Sequence, residues 1–522
     1  MSQQIQTFSI SAPGFYGLNT QDSPLDLASG FALSAMNCVI DRYGRIGARK
    51  GWEKVNSATG ALAGADVKVI HELIQNDGTL TVLFAGGNKL FKLDGSNAVV
   101  QLTYGGGGTA PTITSDNWQC ASLNGITYFF QIGYNPLIYD PAISTTTYRR
   151  VSEKLLPTPY VATVQNCNVC ISAYGRLWAA NTATINNTVY FSDLLAGHIW
   201  STGTAGSLNL ANVWPNGPDE IVGLAAHNNF LFIFGKRQIL VYSGATTPST
   251  MTLYDTVGGI GCISRDSIQN TNTDVVFLSN SGVRSVLRTI QEKSAPFRDL
   301  SKNVRDDLMG YVAAEVSANI KAVYSEKHAL YLLTLPTSMV TYAFDTRGSL
   351  QDESSRVTTW DSINPQSWLS RRNGDLLLGK DGYIGKYGSY LDDTATYRLS
   401  YFTNHADLGD QSVTSLLKRI AVVVIGGSNQ YVTIKWGFDF RESYVSQNVQ
   451  IPAQLVAEYG VAEYGSNGSP LAEYAGGIAL NTLHVSATGS GKIVQTGYEA
   501  DVNSFAISIQ KIEIQAKNGK TN

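Results

Sequence analysis

Cys167 and Cys170 stand in a CxxC spacing, the half-set of ligands from which tetrahedral zinc sites are built. A zinc site needs a second pair, and the remaining Cys38, Cys120 and Cys262 stand alone, so the reading is ordinary buried thiols. The histidines are His71, His198, His227, His328, His405 and His484, and none forms HExxH or a close pair. Glycoside cleavage asks for two carboxylates across a sugar bond. Asp219 with Glu220 and Asp306 with Asp307 are the nearest candidates, but the chain has no SxDxGxTW repeat; FDTRGS at Phe344 is one distant partial match. The glycine runs Gly105–Gly108 and Thr256–Gly261 lack the lysine that a phosphate-cradling loop requires, and there is no GxSxG elbow. No catalytic constellation assembles, so the chain is expected not to be an enzyme and to need no cofactor or metal.

The elements that would have to position any such residues repeat. From about residue 65 to 390 an apolar strand, a polar or glycine turn and a second apolar strand recur about every 50 residues. The copies begin at His71 (HELIQNDGTLTVLFAGG), Ala121 (ASLNGITYFFQIG), Cys170 (CISAYGRLWAAN, the weakest), Leu224 (LAAHNNFLFIFGK), Val275 (VVFLSNSGVRSVL), Ala322 (AVYSEKHALYLLTL) and Trp368 (WLSRRNGDLLLGKDG). Their turns fall near Asp77, Asn124, Gly175, Asn228, Ser281, Lys327 and Asn373. An all-β unit of this length cannot bury its own apolar face and needs neighbours, which predicts a β-propeller of about seven units, range six to eight. Asp94, Asp140 and Asp345 each follow a second or third strand, where Asp commonly starts a turn by bonding its own backbone.

On either side the pattern changes. Residues 1–60 read as an extended, turn-rich arm, with a short helical turn around Leu33–Met36. The propeller is assigned to 61–393, with a helix of about ten residues inserted near 300–312, where Leu300, Val304 and Leu308 fall at helical spacing. Asp299 or Ser301 is placed to cap it. Residues 394–522 alternate as strands and predict a β-sandwich. Within it, loop 456–477 repeats Ala-Glu-Tyr three times, ending at Tyr459, Tyr464 and Tyr474. These tyrosines are either anchors for a protein partner or parts of a plain surface loop.

Composition bounds the function. The 522 residues are 43% hydrophobic and only 15% charged, with 50 Gly and 27 Tyr, which suits β structure lying against other protein. Net charge is −3 and no basic tract appears, which argues against sequence-specific nucleic-acid binding but allows a wall past which DNA slides. The opening MSQQIQTFSISAPGFYG has no basic region followed by an apolar core, so no secretory signal is expected. The apolar run Ile420–Ile425 is too short to span a bilayer. The odd number of cysteines, five, fits a reducing cytoplasm.

Three segments resemble one family. The arm carries Gly17-Leu18-Asn19-Thr20, Asp22-Ser23-Pro24, Ala35-Met36-Asn37 and Arg45-Ile46-Gly47-Ala48-Arg49-Lys50-Gly51. The block from Ile221 to Val286 runs from IVGLAAHNNFLFIFGKRQILVYSGAT through GGIGCISRDSI to VVFLSNSGVRSV, and LSKNVRDDL follows. Together these are similar to the tail nozzle proteins of short-tailed bacteriophages (the tail tubular protein B-like, or packaged-DNA stabilisation, family). The resemblance touches about half of the chain, in pattern more than in identity, and the Ala-Glu-Tyr loop departs from it.

The resemblance implies a structural virion protein assembled in the host cytoplasm. It would form a homo-hexameric nozzle below portal and adaptor, meet tail fibre, spike or needle proteins, retain packaged double-stranded DNA and let it pass. Asn19, Asp22, Arg49 and the three loop tyrosines are then the candidate interaction residues. The alternative is a stand-alone propeller that binds or cleaves carbohydrate at its central channel.

Overall fold

The computed structural model describes residues 5–57, 60–154, 166–286, 299–408, 413–441, 443–453 and 480–518. The chain divides into two compact units. One comprises Lys54–Met339 and Asn364–Tyr387; the other comprises Met1–Glu53, Val340–Ile363 and Gly388–Asn522.

The first unit is a β-propeller. Seven first strands, Val67–Ile74, Gln119–Leu123, Val169–Ala173, Ile221–His227, Gln269–Asn270, Lys321–Ser325 and Ser367–Ser370, each pack on the next, and the last packs on the first. Six of them open separate sheets, and Lys321–Ser325 opens an antiparallel hairpin with Leu330–Leu335. The count lies in the expected range. Six of the seven expected turns join a first strand to a second, and the turn at Ser281 joins the second strand Val275–Ser279 to the third, Gly282–Ser285. Three of the two-residue turns, Asn124-Gly125, Tyr174-Gly175 and Asn228-Asn229, hold positive φ at both positions. Such turns match the twist of a tight hairpin, and Asn and Gly tolerate that backbone best.

The second strands are apolar without alternation because both of their faces are covered. Tyr128 and Phe130 pack toward Leu177 and Ala179 of the next sheet, while Phe129 packs toward Leu83 and Leu90 of the previous one. Phe232 and Phe234 meet Phe277 on one side, while Leu231 and Ile233 meet Trp178 on the other. Each such side chain contributes about 1.5–3 kcal/mol by leaving water. The ring closes on itself: Val55 N–H donates to Ile384 O at 2.8 Å, and Ile384 N–H donates to Asn56 Oδ1 at 2.7 Å. Phe84 and Phe91 then share a core with Leu377 and Ile384.

The second unit is a two-sheet β-sandwich. One sheet carries Leu480–Val485, Ser415–Gly426, Ile507–Asn518, Ile46–Ala48 and Cys38–Ile40 in that order, with Ile5–Ser11 also on Ile507–Asn518. The other runs Phe31–Met36, Tyr397–Thr403, Ile493–Val502, Tyr431–Phe438, Val445–Gln450. Alternation is clean here: Val432, Ile434 and Trp436 are buried, while Tyr431 is exposed and Thr433 and Lys435 half-buried.

Three expectations need correction. The stretch 1–60 is not a separate arm: its strands from Ile5 to Ala48 belong to the two sheets of the sandwich, Trp52–Lys54 pairs in a propeller sheet, and Val340–Ile363, assigned to the repeat region, groups with the sandwich unit. Apolar residues such as Phe15, Ala32, Ala35 and Ile46 are buried there, a burial that a free arm could not provide. Around Leu33–Met36 the chain is a strand, Phe31–Met36, rather than a helical turn, because it pairs with Tyr397–Thr403 along its length. The inserted helix is present at Arg305–Ala314, but neither Asp299 nor Ser301 caps it. Ser301 Oγ instead accepts from Val283 N–H at 2.9 Å and donates to Asp299 Oδ1 at 3.2 Å.

Candidate functional site

The seven first strands surround a channel, the usual place for a propeller to hold a ligand. Its inner part is a cavity of 310 Å³ lined by Lys68, His71, Cys120, Arg265, Asp266 and Lys321. A wider mouth of 970 Å³ is lined by Glu72, Tyr324, Glu326, Lys327, Arg371 and Arg372. His71 and Gln269 line both.

Arg265 enters the channel from a 3₁₀ turn, Arg265–Ser267, just before the short strand Gln269–Asn270. It is buried, and all three of its nitrogens are engaged. Nη1 donates to Asn168 O at 2.5 Å and Oδ1 at 2.6 Å; Nη2 donates to Asn117 O at 2.6 Å and Oδ1 at 2.8 Å; Nε donates to Asp266 Oδ1 at 3.2 Å. Lys321 Nζ donates to the other Asp266 oxygen. One guanidinium thus ties together the segments leading into the second, third and fifth sheets, and the lysine adds the hairpin. Burial alone would raise the Asp266 carboxyl, but Lys321 and Arg265 overcome it and hold that carboxyl below the usual range. Burial in turn lowers the Lys321 ammonium, against the pull of Asp266.

His71 Nε2 lies 2.7 Å from Ser122 Oγ, and burial pushes the imidazole down to about 4. An unfolded histidine protonates near 6.5, so between pH 6.5 and 4 the unfolded chain binds more protons, and stability falls as pH drops through that window. His71→Gln should therefore show a shallower loss of denaturation midpoint from pH 7 to pH 4 than the natural chain. Equal slopes in urea titrations across that range would refute the assignment.

The acids at the channel mouth, and Asp219 and Glu220, are already committed. At the mouth, Glu72 takes Arg371 Nε at 2.6 Å and Arg372 N–H at 2.9 Å, and Glu326 takes Asn272 Nδ2 at 2.8 Å. Asp219 accepts from the backbone of Glu220 and Arg237, both at 2.8 Å, and Glu220 pairs with Lys236 at 2.6 Å. Asp306 and Asp307 are exposed on the helix Arg305–Ala314. Asp94, Asp140 and Asp345 each accept a backbone N–H two residues on, the turn role expected of them. Cys167 and Cys170 are free, buried thiols pushed up by desolvation. Among the described residues no group of three or more His, Cys, Asp or Glu is placed to hold a metal ion.

Asn19, Asp22 and Arg49 do not form one exposed surface. Asn19 is buried and closes a local turn, accepting from Gln21 N–H at 3.0 Å and Asp22 N–H at 3.1 Å and donating to Asp22 Oδ2 at 2.8 Å. Arg49 is fully buried in the sandwich unit, so it is framework there and presents nothing to a partner. Asp22 alone of these three is exposed. Tyr459, Tyr464 and Tyr474, with loop 456–477, lie outside the described residues. The sequence reading missed the channel set Asn117, Asn168, Arg265, Asp266 and Lys321. Its trace in the sequence was the polar SRD of GGIGCISRDSI.

Among the described residues no helix is long and apolar enough to cross a membrane. No protein-family model and no curated protein matches the chain. Among solved structures it is similar to the Neurospora crassa Pan2 WD40 domain at 9% identity, over 65% of this chain and 96% of that one, with a TM-score of 0.38. The WD40 propeller domain of Doa1 is 10% identical over 64% and 96%, with a TM-score of 0.36. PorZ, a surface component of the Porphyromonas gingivalis type-IX secretion system, is 10% identical over 70% of this chain but only 44% of its own, with a TM-score of 0.37.

Proposed function

We propose that this chain is a non-enzymatic structural protein of a short-tailed phage virion, the repeating subunit of a hexameric tail nozzle. The observation that carries the proposal is the state of the axial channel. The position where a propeller enzyme would keep free acids is occupied by Arg265, Asp266 and Lys321, whose polar groups are spent on the chain's own strands. A side-chain lock there stiffens a ring without leaving groups for turnover. The family resemblance adds that Asn19, Asn37 and Arg49, which recur in its arm motif, are the buried framework of the sandwich. A shared framework of this kind serves assembly, and cyclic repetition of one subunit turns any modest loop into a constriction.

Quantitative peptide mass spectrometry on purified particles tests the reading. We expect this chain at about half the copy number of the portal protein, the ratio of a six-fold hub under a twelve-fold portal. Absence from particles sinks it. The second reading, carbohydrate bound at the channel, has the 970 Å³ mouth and its Tyr324 in its favour. It predicts that Tyr324→Ala abolishes glycan binding, whereas a nozzle subunit keeps its copy number in particles when that ring is removed.

A further inference from the structure

The outward face of the sandwich sheet carries a polar groove of 370 Å³ that no part of the nozzle reading uses. Its floor is four neighbouring strands. Thr433 stands opposite Asn448 on one side and Glu499 on the other, and Arg398 stands opposite Asp501. Tyr431, at 55% exposure, forms one wall. Rigid strands fix all of these, and the volume lies in the range of about 300–1,000 Å³ typical of small-ligand sites.

The charges in this groove cancel. Arg398 donates to Glu499 and lies 3.5 Å from Asp501, while Lys435 donates to Glu499 at 2.8 Å. Two cations against two anions leave no field to select an ionic ligand. The walls, rich in amides and carboxylates, also offer little to a lipid or an apolar peptide. What remains is a neutral ligand with many hydroxyl groups and one apolar face. A pyranose ring fits: its C–H face covers an exposed aromatic ring, and its vicinal hydroxyls match side-chain amides, which both donate and accept, and carboxylates, which accept.

Gln430, which also lines the groove, is 7% exposed and held in place by its Nε2 donating to Asn503 O at 3.0 Å. We infer that this groove binds a neutral saccharide, with Tyr431 as the stacking platform and the exposed Asn448 and Asp501 as hydroxyl partners. The inference does not depend on the nozzle reading, since it concerns the isolated full chain.

The test is titration calorimetry of the full chain with maltotetraose, cellotetraose, chitotetraose and mannotetraose, and with sialyllactose as an anionic control. At least one neutral tetrasaccharide should bind in the micromolar to millimolar range. Tyr431→Ala should weaken it by about tenfold or more, and Tyr431→Phe should keep it, because stacking needs the ring and not the hydroxyl. Tyr324→Ala, at the propeller mouth, should leave the affinity unchanged. Matching thermal melts of the variants exclude misfolding. No binding by the natural chain across the neutral panel at millimolar concentration overturns the inference, as does binding lost with Tyr324 but not with Tyr431.

Discussion

Replacing Arg49 with methionine should destabilise the sandwich unit by about 3–5 kcal/mol, the usual cost of breaking a buried ion pair from one side. The guanidinium is fully buried, and both of its ends are used. Nη1 and Nη2 make a two-pronged pair with Asp392 at 2.9 and 2.7 Å, Nε donates to Asn37 Oδ1 at 3.1 Å, and Nη2 reaches Ser362 Oγ at 2.5 Å. The plane lies 4.0 Å from the Tyr397 ring centre. Methionine fills much of the volume but strands the Asp392 carboxylate and leaves Asn37 Oδ1 only the longer bonds from Asp361 N–H at 3.3 Å and Ser362 Oγ at 3.5 Å. Arg49→Lys should also fail to rescue, because one ammonium cannot serve a planar fork and a ring face together. A chain of two units need not unfold in one step, so the readout must be local. Hydrogen exchange of amides in Phe31–Met36 and Tyr397–Thr403 should lose protection, while Leu231–Phe234 in the propeller stays protected. Unchanged protection in the first two strands would show that Arg49 is not the keystone its contacts suggest.

The propeller strands and Arg49 show where sequence reasoning reached and where it stopped. Runs such as ITYFF and FLFIF, each next to a two-residue turn, revealed doubly covered strands, because turn chemistry and apolar patterning are local properties. The seven turns were legible for that reason. Arg49, in contrast, finds Asp392 across 343 positions and Ser362 across 313, and nothing local distinguishes a buried arginine from an exposed one. Its motif drew notice and invited an interaction role, but its partners make it framework. Strand sequence also says little about which sheet a strand will join. Val340–Asp345 is buried along almost its whole length like the propeller strands beside it in sequence, yet the segment Val340–Ile363 belongs to the sandwich unit. Long-range pairing decides that, and pairing is what a single chain read in order cannot display.

Arg265→Met should have the corresponding effect on the propeller, again about 3–5 kcal/mol, and through a different route. Asp266 would keep Lys321 as a partner, so the loss would come mainly from Asn117 and Asn168. Each offers Arg265 a backbone carbonyl and a side-chain oxygen, and the four acceptors lie 148 and 97 residues from the arginine in the chain. Removing the guanidinium leaves those acceptors facing a polar cavity of 310 Å³, which water can enter and partly satisfy. The cost should therefore fall toward the lower end of the range if the channel hydrates, and toward the upper end if it collapses. Asn117→Ala removes one acceptor and should cost about 1–2 kcal/mol. The double variant should cost less than the sum, because both changes break the same contact. Strict additivity would mean that Arg265 and Asn117 do not act together, and the axial lock would then have to be discarded. Loss of protection should appear first in Gln269–Asn270 and its neighbour Val275–Ser279, since Gln269–Asn270 is the shortest of the seven first strands and depends most on what holds it at the axis.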